Sequence, residues 1–348
     1  MIERRTLLLA AGATLLAACA STWTPRTTSA PAPLQWPFAP RPAKVTFSHA
    51  LSGFAQQGDA GTALRAFAYG KDPGVRGAFV LPVAVAAGAD GRIAVADPGC
   101  RCVHLFLPGD RRYLRLEGPD GAPLESPVAV VFDDESRLFV SDSRGSVLAF
   151  GAGGDFEYAL TAAGPTPLGR PTGLAFSPRS KRLFVVDTLA HAIHVFDRRR
   201  ELVATLGGRG EEPGKFNYPT HIAWAAPDEL FVTDALNFRV QILDEEGRSR
   251  GVFGRHGDGS GDLAMPKGIA VDADGVVYVV DGLFDNVQLF GRDGSFLLTV
   301  GRQGRGFGEF WLPAGAFLSG NGELYVCDTY NRRIQVFRVT ERYAPQVS

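Results

Sequence analysis

Histidine and cysteine are the residues of this chain whose chemistry allows metal binding or nucleophilic attack. The 348 residues include six histidines and four cysteines. They are His49, His104, His191, His194, His221 and His256, with Cys19, Cys100, Cys102 and Cys327. Their spacing matches neither a structural zinc site nor a haem attachment motif, and no nucleophile with a base and an orienting acid is recognisable. Any site must therefore be assembled by the elements that carry these residues.

Those elements recur along the chain. A proline opens an apolar run in each copy, at Pro82, Pro127, Pro171, Pro219, Pro266 and Pro313. An aspartate closes the next apolar run, at Asp97, Asp142, Asp187, Asp234, Asp281 and Asp328. Short alternating runs and 42 glycines with 23 prolines favour strands joined by tight turns. Six copies of four strands predict an all-β, six-bladed β-propeller.

The best-formed copies resemble a known repeat family. Pro266 to Asp272, Val277 to Asp281 and Asp328 to Phe337 are similar to NHL repeats, and the similarity extends over about residues 60–340. The tract before residue 60 resembles the N-terminal extension of bacterial NHL-repeat lipoproteins. The resemblance implies a propeller with a central channel.

The predicted propeller spans residues 43–343, with an N-terminal extension at 43–62. The chain ends near the third strand of the sixth copy, so another segment must complete that blade. Leu64 to Gly70 has the spacing of a fourth strand, because Gly70 stands twelve residues before Pro82. We therefore predict that this N-terminal strand closes the ring, which removes an open sheet edge.

The extreme N-terminus has the pattern of an export signal. Arg4 and Arg5 precede an apolar run from Leu7 to Ala18, which is too short to span a bilayer. Residues 1–18 are therefore predicted to be a signal peptide, and the paired arginines leave both the general secretory and the twin-arginine routes open.

Residues 16–19 resemble the bacterial lipobox, Leu-Ala-Ala-Cys, which implies lipid attachment to Cys19. Residues 19–42 then read as a lipidated cysteine and a Pro-rich tether. We expect a lipid-anchored protein of the bacterial cell envelope, on the periplasmic side of the outer membrane. The net charge of −1 offers no basic footprint, so nucleic acid is not expected as a partner.

Strand polarity predicts which face binds. Antiparallel order places the proline openings and the aspartate turns on one face, around the channel mouth. The six aspartates are interpreted as turn caps, because a carboxylate there can accept backbone N–H groups. Polar and aromatic residues that break the repeat on this face are the candidate binding residues: Thr220, His221, Asn237, Phe238, Lys267, Phe284 and Tyr330.

Two functions are consistent with these residues. The favoured one is a non-enzymatic scaffold that binds a protein, peptide or glycan in the envelope, without metal or cofactor. The alternative is a metal-dependent lyase or lactonase, because the resemblance includes propellers that hold a metal in the channel. Only His221 lies at a channel position, so a three-histidine site is not supported. A disulfide from Cys327 to Cys100 or Cys102 is a further expectation, because blades one and six are neighbours.

Overall fold

The computed structural model describes residues 22–57 and 77–339, and nearly all regular structure in them is β-strand. Five blades are four-stranded antiparallel sheets, formed by consecutive strands and ordered from the channel outwards. Blade 1 contains Ala84–Ala87, Ile93–Asp97, Cys102–Leu107 and Arg112–Leu116. Blade 2 contains Pro127–Phe132, Leu138–Asp142, Ser146–Phe150 and Phe156–Leu160. Blade 3 contains Pro171–Ser177, Arg182–Asp187, Ala192–Phe196 and Leu202–Gly207.

Blade 4 contains Pro219–Ala225, Glu229–Asp234, Arg239–Asp244 and Ser249–Phe253. Blade 5 contains Pro266–Val271, Val277–Asp281, Asn286–Phe290 and Phe296–Val300. Blade 6 joins the two ends of the chain, as Ala316–Leu318, Glu323–Asp328, Arg333–Val339 and Val45–Gln57. Two further strands, Thr22–Thr28 and Gln35–Trp36, extend the sheet of blade 6. The other short elements are a hairpin of Ala162–Ala163 with Thr166–Pro167 and 3₁₀ turns at Pro119–Gly121, Ala235–Asn237 and Thr329–Asn331. The predicted six-bladed β-propeller is confirmed.

An N-terminal strand closes the ring, but it is not the predicted one. Val45–Gln57 pairs antiparallel with Arg333–Val339, with Leu51 opposite Ile334. The predicted segment, Leu64 to Gly70, lies outside the described residues. The spacing rule failed because it describes loops between consecutive blades, whereas the connection from the closing strand to blade 1 is longer.

The predicted tether is also partly wrong. From Thr22 onwards it is structured, since Thr22–Thr28 and Gln35–Trp36 both pair with Val45–Gln57. Trp23 and Trp36 are buried, and the Trp36 ring lies 5.7 Å from that of Phe337. Prolines do not prevent this pairing, because Thr22–Thr28 lies at a sheet edge, where a missing N–H costs little.

Apolar side chains from facing sheets form the core between the blades. Between blades 3 and 4, for example, Phe184 and Val186 pack in one buried cluster with Ile222 and Leu230. Hydroxyl groups add hydrogen bonds between neighbouring blades: Ser141 Oγ to Thr172 O (2.6 Å), Thr188 Oγ1 to Pro219 O (2.7 Å) and Thr329 Oγ1 to Pro82 O (2.9 Å). The last of these links blade 6 to blade 1.

The six repeated aspartates are buried and cap the backbone, as predicted. Asp97 accepts the N–H groups of Gly99 and Cys100 in the turn that follows it. It also accepts those of Val80 (2.7 Å) and Leu81 (2.9 Å), in the loop that leads into the blade. Although burial raises the pKa of Asp97, the hydrogen bonds from His104 and these N–H groups leave it below its usual value. Each aspartate thus holds a turn and an incoming loop together.

Candidate binding face and channel

The proline openings and the aspartate turns lie on one face of the ring, which we call the aspartate face. Pro219 pairs with Asp234 and Pro266 with Asp281, at the same end of their sheets. Because the strands are antiparallel, the described loops from blade 1 to blade 2 and onward to blade 6 also lie on this face. The predicted polarity is confirmed.

The inner strands approach one another closely near this face. The positions that follow the proline openings by two residues are occupied by Ala84, Ala129, Gly173, His221, Gly268 and Gly315. A Cβ atom on Gly268 would lie 2.5 Å from the carbonyl oxygen of Ala314, so no larger residue fits there. Among these six positions, only His221 carries a large side chain.

A cavity of about 260 Å³ extends along the channel between the inner strands. Its wall is mostly small and apolar, with Phe132, Phe176, Phe317 and Trp224 among the larger side chains. His221 is the one histidine in this described wall, and the wall includes no carboxylate. The wall therefore offers one nitrogen ligand and no acidic residue.

The backbone of His221 is hydrogen-bonded, whereas one nitrogen of its ring is not. Its N–H donates to Thr233 Oγ1 at 3.0 Å. The ring atom Nδ1 is buried and makes no hydrogen bond. Burial, with a smaller effect of the charge on Lys267, lowers the pKa of His221 to about 4. The imidazole is therefore neutral at pH 7 and can both donate and accept a hydrogen bond.

Lys267 is the neighbouring cation predicted from the sequence. Burial lowers its pKa, and the charge of Asp281 opposes that effect. No salt bridge of Lys267 occurs within residues 22–57 and 77–339. Thr220, next to His221, places its Oγ1 3.2 Å from Thr233 Oγ1. The structure thus groups Thr220, His221 and Lys267 at the channel mouth.

Asn237 and Phe238 are explained by the architecture of their turn. Asn237 Nδ2 donates to Asp234 Oδ2 (2.8 Å) and to Gly210 O (3.0 Å). Phe238 has left-handed backbone geometry, φ 53°, and its ring lies 4.4 Å from that of His256. Both residues stabilise the turn.

Phe284 and Tyr330 lie in other blades. Phe284 is half-buried, and its N–H donates to Asp281 Oδ1. Tyr330 is 50% exposed and lies 5.7 Å from the Trp311 ring. Of the predicted aromatic residues, Tyr330 therefore offers a free surface.

Sequence reasoning missed most of an exposed apolar arc on the aspartate face. In blades 3 to 6 the second residue after the aspartate is large, apolar and at least half exposed. These residues are Leu189 (52%), Leu236 (51%), Leu283 (61%) and Tyr330 (50%). An alignment of the six copies would have found them from the sequence, because this position is large and apolar in blades 3 to 6. Blades 1 and 2 have Gly99 and Arg144 there instead. We call these four residues the apolar arc.

The predicted cysteine pairing is wrong. Cys100 and Cys102 form a disulfide with each other, and Cys327 is a buried free thiol whose pKa is raised by burial. The two cysteines lie in one turn, so they meet without any contact from blade 6. Together with His104 they form the one group of three potential metal ligands in the described part of the chain. Joined as a disulfide, the sulfurs are not thiolates, so this is not a metal site in the state described.

No helix in the described residues is long and apolar enough to span a membrane.

Comparison with known proteins supports the fold more strongly than an activity. The NHL repeat family model matches residues 310–337. "Protein SUPPRESSOR OF QUENCHING 1, chloroplastic" of Arabidopsis thaliana is 30% identical over 101 residues, which are 26% of this chain. The match covers 10% of that relative's length.

Solved structures of similar shape have different functions. A streptogramin B lyase superposes with a TM-score of 0.57 and is 12% identical in sequence. The match covers 74% of this chain and 93% of the lyase chain. An auxiliary nutrient binding protein from Bacteroides thetaiotaomicron has a TM-score of 0.58 and 12% sequence identity. That match covers 74% of this chain and 69% of the binding protein. XC5397 from Xanthomonas campestris, a gluconolactonase, has a TM-score of 0.58 and 15% sequence identity. That match covers 75% of this chain and 87% of the gluconolactonase.

At these identities the likeness shows the fold alone. The repeated strands, the six blades and the family match agree with one another. The chain has the six-bladed β-propeller fold, and its residues 310–337 match the NHL repeat.

Proposed function

We propose that this protein is a lipid-anchored scaffold of the bacterial cell envelope that binds a protein or peptide partner on its aspartate face. The apolar arc carries this proposal. Four large apolar side chains, each at least half exposed, occupy equivalent turns of four consecutive blades. Single exposed leucines are ordinary, but equivalent positions on one rigid face form a common surface.

The partner fits as a peptide segment more than as a glycan. Leu189, Leu236 and Leu283 offer aliphatic contacts, whereas a sugar ring packs best on flat aromatic surfaces. Each leucine follows a buried aspartate that holds its turn, so the contact surface is ordered before binding. Such preorganisation reduces the entropy lost on binding.

Charge at the channel mouth indicates an acidic group in the partner. Lys267 has no salt bridge in the described residues, and His221 has an unpaired buried nitrogen. A carboxylate would accept a hydrogen bond from Lys267 and from the neutral imidazole, which would satisfy both groups. We therefore propose a peptide in which apolar residues flank an acidic one.

The metal-dependent lyase or lactonase alternative has less support. Such a metal needs several protein ligands in the channel, and the described wall supplies one histidine and no carboxylate. The lyase and gluconolactonase neighbours are similar at 12% and 15% identity, so they do not transfer their activity.

The test is capture of a partner by crosslinking in intact envelopes. Replacing Leu189, Leu236, Leu283 and Tyr330 by serine should abolish a capture that the unaltered protein shows. The matched control replaces four exposed apolar residues of outermost strands, Phe156, Val203, Val252 and Phe296, and should retain capture. Both variants must keep the melting temperature of the parent. Equal capture by the two variants would refute the proposed face, and capture of a glycan would refute the peptide.

A further inference from the structure

Blade 1 differs from blades 4 and 6 in how its aspartate turn is built. In blade 6, Asn331, Arg333 and Gln335 follow Asp328 by three, five and seven residues. All three side chains donate to its carboxylate, with shortest distances of 2.9, 2.7 and 3.0 Å. Blade 4 repeats this arrangement around Asp234 with the same three residue types.

In blade 1 the same three positions after Asp97 are Cys100, Cys102 and His104. The two cysteines form a disulfide. His104 keeps the role of the glutamine, with Nε2 3.4 Å from Asp97 Oδ2. The same Nε2 lies 3.5 Å from Cys100 Sγ and 3.8 Å from Cys102 Sγ. A hydrogen-bonded clamp is thus replaced by a disulfide with an imidazole beside both sulfurs.

The surroundings hold this imidazole and leave one sulfur accessible. His104 is buried, and its Nδ1 lies 2.9 Å from the hydroxyl of Tyr113. Cys102 is fully buried, whereas Cys100 is partly exposed on the aspartate face. Only Cys100 is therefore open to attack from solvent, and Cys102 is the leaving sulfur.

We propose that Cys100–Cys102 is a redox-active disulfide that exchanges with a dithiol of a protein or peptide. A thiolate of the partner attacks Cys100 Sγ, the Cys100–Cys102 bond breaks, and Cys102 leaves with the electron pair and takes a proton from His104. The second thiol of the partner then attacks the partner's sulfur in the mixed disulfide and releases Cys100, which takes the proton of that second thiol. His104 regains the proton that the partner's first thiol lost when it became a thiolate. The partner loses two electrons and two protons and becomes a disulfide, while this protein gains them as two thiols. The exchange is reversible.

A purely structural role explains the cysteines less well. Blades 4 and 6 hold the same turn with hydrogen bonds alone. Blade 3 has Ala190 and Ala192 at the cysteine positions, and His194 Nε2 lies 3.8 Å from Asp187 Oδ2. The turn therefore forms without a disulfide, even with histidine at the same position.

The first experiment equilibrates the folded protein with buffers of varied reduced-to-oxidised glutathione ratio. Free thiols are then alkylated and counted by mass, and circular dichroism monitors the fold. We expect two thiols to appear reversibly in the native protein, following the glutathione ratio. Reduction only in denaturant would overturn the proposal, because it would show a structural disulfide.

The second experiment measures the rate of native-state reduction by glutathione. His104→Gln introduces the residue found in blades 4 to 6, so we expect an unchanged fold and reduction slowed about tenfold or more. His194→Gln in blade 3 is the matched control and should leave the rate unchanged. Equal effects of the two variants would overturn the role of His104.

A third variant tests the cysteines without losing the turn. Changing Cys100→Asn, Cys102→Arg and His104→Gln rebuilds the blade 6 pattern, so it should fold and show no exchange with a dithiol peptide. Retained exchange would overturn the assignment. So would stoichiometric binding of Zn²⁺ to the reduced parent under conditions where no exchange occurs, because that would indicate a metal site. This proposal does not depend on the peptide-binding function, since the apolar arc is untouched by these variants.

Discussion

At the scale of single residues, the channel mouth shows how burial changes chemistry. His221 occupies a position where the neighbouring blades have glycine or alanine, and the ring is neutral because its pKa falls to about 4. Among the described residues, Lys267 is the cation that acts on its pKa. A neutral imidazole can lie beside the ammonium group of Lys267 without charge repulsion, which two cationic side chains at this position could not do. The pair can therefore remain together and bind an anion.

The lowered pKa of His221 makes stability depend on pH. Below its usual pKa of 6.5 the unfolded histidine takes up a proton that the folded one, with a pKa of about 4, does not. The free energy of unfolding should therefore decrease as the pH falls from about 6.5 to 4. Above about pH 6.5 the contribution of His221 to that free energy should stay constant. From pH 7 to pH 5 the loss is up to about 2 kcal/mol.

Thermal unfolding at pH 5 and pH 7 checks this. His221→Gln should reduce the difference in melting temperature between the two pH values, because glutamine does not titrate. The control is His256→Gln, since His256 is exposed and outside the channel. A pH dependence in His221→Gln as large as in the parent would contradict the lowered pKa.

At the scale of elements, the closing strand decides whether the ring is complete. Val45–Gln57 pairs with Arg333–Val339 on one side and with Thr22–Thr28 on the other. Its Val45, Leu51 and Phe54 are buried, whereas Thr22–Thr28 contributes one buried residue, Trp23. The closing strand therefore connects the ends of the chain, and the outer strand covers its edge.

We predict that two truncations will differ sharply. Of the described strands, a chain that begins at residue 30 lacks only Thr22–Thr28, and it should fold with a lowered melting temperature. A chain that begins at residue 58 also lacks the closing strand, which leaves Arg333–Val339 as an open edge, and should aggregate or fail to fold. Thermal unfolding and size-exclusion chromatography measure both. Similar melting temperatures would show that ring closure contributes little.

At the scale of the whole molecule, the lipobox-like segment and the aspartate face together define the proposed function. The aspartate face bears the apolar arc, the channel mouth and the Cys100–Cys102 turn. An anchored propeller would hold this face for a partner in the same envelope. A measurement of lipid attachment is therefore the most direct test of the proposed location in the cell envelope.

We predict that Cys19→Ser will release the protein from membranes. Without the thiol no lipid can be attached, and an acyl anchor provides the hydrophobic contribution to membrane binding. Membrane fractionation and the intact mass of detergent-extracted protein give the readout, with acyl chains on an N-terminal cysteine expected in the parent. Cys327→Ser serves as the control and should stay membrane-bound. Equally firm attachment of Cys19→Ser would rule out the lipid anchor.

The sequence by itself determined the number of blades, the polarity of the strands and the role of the aspartates. These follow from local patterns, because apolar alternation, turn residues and repeat spacing act within one blade. The same spacing located His221 and Lys267 at the channel mouth. It misplaced the closing strand, because the connection that crosses from one end of the chain to the other obeys no repeat.

Tertiary structure alone decided three features of the site. The partner of each cysteine depends on distances between side chains, and the turn brings Cys100 to Cys102 while Cys327 stays buried. Exposure of the apolar arc depends on which side of each turn faces solvent, and leucine in a sequence gives no sign of it. The unpaired nitrogen and low pKa of His221 arise from neighbouring blades that meet only when the ring is closed, since desolvation is a property of the assembled channel.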